Sequence, residues 1–226
     1  MADVGLRGRE AAPLNADAME AAIRKRRSIR KYKPDMPPPQ WIEAMVACAS
    51  MAPSPSNSQP VRFVRISSPV LREELREEML RRKEELLLEV EAGGGSKKTR
   101  NLINVYSRYS EFLFEAPVVL CMGTAAGAET FSRKLANAKV LRADKRGETD
   151  PDISIGLAVM ALMLKGESLG LGTCILTAPL VFLEDIEKRL GLEDMRVKCF
   201  VTVGFPAETP SPPERKPLSE VYREIR

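Results

Sequence analysis

"AIRKRRSIRKY", residues 22–32, sets Arg24, Lys25, Arg26, Arg27, Arg30 and Lys31 around one hydroxyl, Ser28. Just upstream, Asp17 and Glu20 have capping-box spacing, which predicts a helix over Ala18 to about Arg27. An extended backbone would instead put Arg26, Ser28 and Arg30 on one side, because strand side chains alternate. Two guanidinium forks and a hydroxyl on one side suit a phosphate. Three readings are open at this point: a solvated helix end whose cations favour the dipole, a nucleic-acid patch, or a pocket for one dense anion. Locally the solvated helix end is the simplest.

Working outward, the prolines of 34–39 form a rigid break, and Pro39 suits the first turn of a second helix. That helix carries Ile42, Met45, Val46 and Ala49 at helical spacing. It ends in "MAPSPSNSQP", 51–60, too rich in Pro, Ser and Asn to be anything but a loop. Strands are predicted for "VRFVRI" (61–66), "PVVLCMG" (117–123), "GTCIL" (172–176) and "VKCFVTVG" (197–204). Between them, 69–91 reads as a charged, solvent-exposed helix laced with opposite charges. "GGGS", 93–96, breaks it, and another helix is expected near 101–114. Residues 152–170 read as an apolar central helix, and 183–190 as a further one. Residues 1–13 read as loosely attached. Strands interleaved with long helices predict an α+β or α/β sandwich, one domain over 1–226 with a charged, lid-like helical insertion at about 69–115.

Composition narrows the chemistry. With 35 basic and 31 acidic residues the net charge is only +4, so the cluster at 24–31 is a local event. That argues against bulk nucleic-acid binding, which needs a broad basic face. No histidine is present anywhere, which excludes histidine triads and histidine-ligated metal sites; no metal site is expected. Cys48, Cys121, Cys174 and Cys199 are widely spaced in apolar runs, as expected of buried thiols in a reducing cytoplasm. There is no apolar leader at the N-terminus, and the stretch 153–164 is too short to span a bilayer, so no membrane association is expected.

Two more stretches carry candidate chemistry. In 51–60, Asn57 and Gln59 are amides held among prolines and serines, able to donate to and accept from a heterocycle edge. An ordinary turn is the alternative. "ERKPL", 214–218, brings Arg215 and Lys216 after a proline-rich crossing, and alone means little.

Taken in order, these motifs say more. Arg26 to Tyr32 (R-R-S-I-R-x-Y), Ala52 to Pro60 (A-P-S-x-x-N-x-Q-P), Asp152 to Ala178, and Val203 to Leu218 resemble the FMN-dependent nitroreductase family over nearly the whole chain. "GLG" at 170–172 would be weak by itself. The resemblance implies an α+β sandwich with a central, mainly antiparallel sheet, an intertwined homodimer, and FMN at the subunit interface. It implies that Arg26, Arg27 and Ser28 hold the ribityl phosphate and that Arg30 reaches the flavin N1 and C2 carbonyl. Pro53, Ser54 and Asn57, with Gln59 beside them, would come from the other subunit. Ile175, Leu176 and Thr177 would run beside the ring, with the Thr177 amide near N5. Arg215, with Lys216, would return to the phosphate. The chain departs from the pattern at Val61, where a tryptophan is often found, and at Ser54-Pro55, which is Ser-Ser in some relatives. No residue between 100 and 112 matches a flavin contact.

The implied activity is hydride transfer from NADH or NADPH through flavin N5 to nitroaromatic, quinone or related small acceptors, with solvent as proton source. The long insertion and "EAP", 115–117, are similar to the reductive-dehalogenase branch, the iodotyrosine deiodinase type, which stands as the alternative. Remoter alternatives are a nucleic-acid-binding module using 24–31 and a non-catalytic FMN-binding protein.

Overall fold

A computed structural model describes residues 16–127, 131–140 and 149–225; residues 1–13, read above as loosely attached, lie outside them. Its centre is a four-stranded antiparallel sheet of β1 (Val61–Arg65), β2 (Val118–Ala125), β3 (Gly172–Leu176) and β4 (Met195–Gly204), in the order β1-β2-β4-β3. The apolar runs 118–122 and 199–203 supply the two central strands, buried on both faces. Alternation along β2 sorts its side chains. Val118, Leu120 and Met122 face one core and Val119 and Cys121 the other.

Helices cover both faces. In chain order they are α1 (Ala16–Lys25), α2 (Pro39–Ser50), α3 (Pro69–Ala92), α4 (Lys97–Arg108), α5 (Phe112–Glu115), α6 (Phe131–Asn137), α7 (Thr149–Ser168), α8 (Ile186–Arg189) and α9 (Leu218–Val221). Ile42 and Met45 of α2 and Ala158, Val159 and Leu162 of α7 fill the first core. Leu75 and Met79 of α3 pack with Leu113, Phe182 and Phe200 in the second. The result is the expected α+β sandwich.

Several boundaries move. α1 ends at Lys25 rather than about Arg27, which frees Arg26 and Arg27 for an extended path. The helix expected over 101–114 is α4 followed by a turn and the short α5. The helix expected at 183–190 shrinks to α8, entered through left-handed Asp185 at φ 52°. α6 was not anticipated. α3 is not simply a solvent helix: Leu71, Leu75 and Met79, four apart, give it an inner apolar edge despite its charge. Its first turn is fixed by Arg72, whose guanidinium donates to the carbonyls of Ile66 and Ala116. Further along, Arg82 Nε lies 2.8 Å from Glu184 Oε1, an ion pair, and Arg189 Nη2 lies 3.1 Å from Glu78 Oε2. These two pairs run in opposite senses and join α3 to the segment around α8. Among the described residues no helix is long and apolar enough to cross a membrane. Among the same residues, no group of three His, Cys, Asp or Glu could hold a metal ion.

Candidate functional site

Residues 26–33 leave α1 and run extended beside the β3 edge. Ser28 bridges Thr173 in parallel, and Ile29 N donates to Thr173 O at 3.0 Å. The second half is stitched to the chain that follows β4: Lys33 N donates to Phe205 O at 2.8 Å and Ala207 N to Lys31 O at 2.9 Å. Two glycines let this segment lie close. A Cβ on Gly172 would sit 2.7 Å from Ile29 Cγ1, and one on Gly204 would sit 2.8 Å from Tyr32 Cδ1. Tyr32 ties the layers together, donating to Ile29 O at 2.6 Å and meeting Thr202 Oγ1 at 2.7 Å. Burial raises its phenol far above the ordinary value, only partly opposed by the bond to Thr202.

The extended path divides the basic cluster. Arg26, Ser28 and Arg30 lie on the side of Cys174. Burial pushes that thiol's pKa up, while Arg30, the Ser28 hydroxyl and Arg26 pull it down. Arg26 Nη1 is buried and has no hydrogen-bond partner among the described residues. A buried guanidinium nitrogen without an acceptor is costly, and an anion would satisfy it. Arg27 points the other way. Its guanidinium donates to Arg24 O and to Arg26 O, and it lines a groove with Lys25, Glu167 and Glu208. Lys25 and Arg24 pair with Glu167 and Glu20.

At the far end of β3 a cavity of about 370 Å³ is lined by Arg30, Tyr106, Tyr109, Ser110, Cys174 and the run Ile175–Leu176–Thr177. Ile175 is exposed and Leu176 buried, as alternation requires; Thr177 then opens a tight turn over Ala178–Val181. A second cavity of about 330 Å³ shares Tyr106, Thr177 and Ala178 and continues along Leu102, Ile103, Val181 and Phe182. Among the described residues, its walls carry no charged side chain.

The 51–60 loop sits elsewhere. Ser54 Oγ accepts from Gln59 N at 2.9 Å, and Gln59 Nε2 donates to Asn57 Oδ1 at 3.3 Å. Ser56, Asn57 and Gln59 all have left-handed φ, between 45° and 53°, an unusual concentration of strain. Pro53, Ser54 and Gln59 line their own cavity of about 120 Å³ with Ser154 of α7. This loop feeds β1, whereas Arg26–Arg30 follow β3, at the opposite edge. Three strand spacings put these edges about 14 Å apart. Arg215 and Lys216 lie in the exposed tail, where Lys216 Nζ is 3.5 Å from Glu220. Within one chain, therefore, Arg26, Ser28, Arg30 and Ile175–Thr177 come together, and Arg27, the 53–59 loop and the tail do not join them.

Sequence reasoning left out Tyr106, Tyr109 and Ser110, which α4 and its following turn bring to the Arg30 cavity. The spacing of Leu102, Ile103, Tyr106 and Tyr109, one face of a helix, was the available signal. It also left out Cys174 and Glu208.

Comparison with known proteins places the chain by family and fold. The pattern of the Nitroreductase family matches residues 23–205. A BluB-like flavoprotein from Clostridium difficile 630 superposes with a TM-score of 0.77 at 25% identity, over 92% of this chain and 99% of that one. Iodotyrosine deiodinase from Thermotoga neapolitana is 26% identical over 201 residues, 88% of this chain and 92% of that protein. 5,6-Dimethylbenzimidazole synthase from Rhodobacter capsulatus is 39% identical over 59 residues, 26% of this chain, and the match spans only 29% of that relative's length. The family pattern takes in the basic strand, all four strands of the sheet and both cavities beside Thr177, and the chain belongs to the nitroreductase family.

Proposed function

We propose that the protein is an FMN-dependent oxidoreductase that draws hydride from NADH or NADPH and reduces small, flat, apolar acceptors of the nitroaromatic or quinone class. The observation that carries this reading is the row Arg26, Ser28, Arg30, with a buried unpaired guanidinium nitrogen, leading into the cavity at the end of β3. A phosphate with a planar ring beyond it fits that order of groups. Arg26 and Ser28 would hold the phosphate. Arg30, two residues on, would present positive charge to the ring, and Ile175–Thr177 would flank it. Arg27 would act at long range, since its side chain leaves the row of Arg26, Ser28 and Arg30 and its Nη1 donates to the carbonyls of Arg24 and Arg26. FMN, when bound, supplies the two-electron exchange between nicotinamide and acceptor. The chain supplies positive charge at Arg30, the Thr177 amide, and apolar walls that exclude water. No histidine is needed, since water can supply the proton that accompanies the hydride.

A homodimer is part of the proposal. Pro53, Ser54, Asn57 and Gln59 reach a site only by being donated to a second copy, because they lie at the other sheet edge. Two surfaces support the pairing: the second face of α7, where Ile153, Leu157 and Met160 are exposed, and the tail, where Leu218, Val221 and Tyr222 are exposed. The tail would carry Arg215 and Lys216 across.

The match to a deiodinase over most of the chain favours a second reading, reductive dehalogenation of a charged aromatic amino acid. The uncharged walls of the Leu102–Phe182 cavity argue for the first, since a zwitterion needs charged partners. The test is anaerobic. Purified protein should be yellow and dimeric, be bleached by a nicotinamide, and recover its colour with menadione faster than with iodotyrosine. Colourless protein that takes up no FMN would overturn the proposal, and faster recovery with iodotyrosine would favour the second reading.

A further inference from the structure

The carboxylate of Glu208 is half-buried beside the basic strand, yet among the described residues no cationic side chain forms an ion pair with it. One oxygen, Oε1, instead accepts from two backbone amides, Arg30 N at 2.6 Å and Lys31 N at 3.1 Å. These amides fall between the two places where the segment is stitched: Ile29 N is bonded to β3 and Lys33 N to Phe205. Among the described residues neither has a backbone acceptor. Arg30 and Lys31 are themselves exposed, so without Glu208 the peptide that carries the Arg30 side chain would have no acceptor within the fold and would turn to water, which fixes no direction. A single side-chain oxygen has two lone pairs and can accept from both amides at once.

We propose that Glu208 is a positioning residue that aims Arg30, and with it the Arg26–Ser28–Arg30 row, at the cofactor. It acts by reach and acceptor geometry rather than by charge: a negative charge beside a phosphate site would by itself oppose binding. The consequence for the cofactor rests on the FMN reading above; the hold on the two amides does not.

Three substitutions separate the roles in the full-length protein. Glu208→Gln keeps the reach and one acceptor oxygen but removes the charge. Glu208→Asp keeps the charge and shortens the reach. Glu208→Ala removes both. Hydrogen–deuterium exchange at Arg30 and Lys31 should speed up about tenfold or more in Glu208→Ala and Glu208→Asp, and stay within about threefold of wild type in Glu208→Gln. The dissociation constant for FMN, from fluorescence titration, should follow the same order. Unchanged exchange in Glu208→Ala, or a Glu208→Gln protein as impaired as Glu208→Asp, would overturn the proposal. Should Glu208→Ala fail to fold, the Gln and Asp variants decide alone. A wild-type protein that binds no FMN would sink the functional reading, while the exchange comparison would still decide whether Glu208 holds the strand.

Discussion

Gly172→Ala is the sharpest probe of how the basic strand is held. The new Cβ would meet Ile29 at Cγ1 2.7 Å, Cβ 2.8 Å and Cγ2 2.9 Å. Comfortable carbon contacts are about 3.5–4.0 Å. Ile29 is β-branched and stiff at χ1, so it cannot turn all three atoms away. The strand must retreat from β3 instead. Overpacking of this kind costs about 1–3 kcal/mol. Stretching the Ile29 N–Thr173 O bond adds about 0.5–1.5 kcal/mol. The expected loss is therefore about 2–4 kcal/mol, or roughly 5–15 °C in melting temperature for a chain of this size. Because Ser28 and Arg30 flank Ile29, FMN affinity should fall in parallel. Ile29→Ala alone should cost about 2–5 kcal/mol, since Ile29 is buried. The double variant should be more stable than the two losses added together, by about 1–2 kcal/mol, because two of the three opposing atoms are gone. Urea denaturation of all four proteins measures this cycle. A Gly172→Ala protein as stable as wild type, or strictly additive losses, would refute the close approach of the strand to β3.

Arg26→Ala should weaken FMN binding roughly tenfold or more, the scale of a charge-assisted contact worth about 1.5–3 kcal/mol, with little loss of stability; fluorescence titration reads it. Arg30→Gln should lower the two-electron flavin potential by tens of millivolts, since about 30 mV corresponds to 1.4 kcal/mol, and spectroelectrochemistry at the wild-type value would remove Arg30 from the ring. Leu102→Glu places a carboxylate in the uncharged cavity and should raise KM for menadione about tenfold while leaving flavin reduction by the nicotinamide unchanged. Burial pushes the Cys121 and Cys199 thiols up to about 12. The unfolded chain then binds fewer protons at these two thiols above pH of about 9, so their contribution to stability should be flat below that point and fall as pH rises towards 12. Cys121→Val with Cys199→Val should flatten the fall, as chemical denaturation at pH 8 and 10.5 would show.

The framework was legible because β2 and the second half of β4, from Cys199, are dominated by apolar residues, and β3 is bracketed by Gly172 and the turn after Leu176. Helix ends were less so. Nothing local to Arg26 marks it as the first extended residue; the bonds that hold the strand come from Thr173 and Phe205, far along the chain. In the turn between α4 and α5 lies buried Ser110, whose hydroxyl donates to Tyr106 O at 2.8 Å, and no periodicity announces that turn. Alternation of Arg26, Ser28 and Arg30 was readable once the backbone was extended, and it explains why Arg27 faces away. Glu208 was out of reach of any local pattern, since it answers backbone groups 178 and 177 residues earlier. α3 misled because its charges outnumber the few residues that bury it.

The placement of the basic strand and the 51–60 loop at opposite sheet edges has a genetic consequence. If each site takes its phosphate side from one copy and its Pro53–Gln59 side from another, two different broken genes can repair each other. A chain crippled at Arg26 still lends an intact loop, and a chain crippled in the loop still lends an intact strand. Co-expressed, they would form mixed pairs holding one wholly sound site and one wholly ruined site. A strain carrying either lesion alone would lack the activity; a strain carrying both, on separate copies, would regain up to about half the activity per mixed pair.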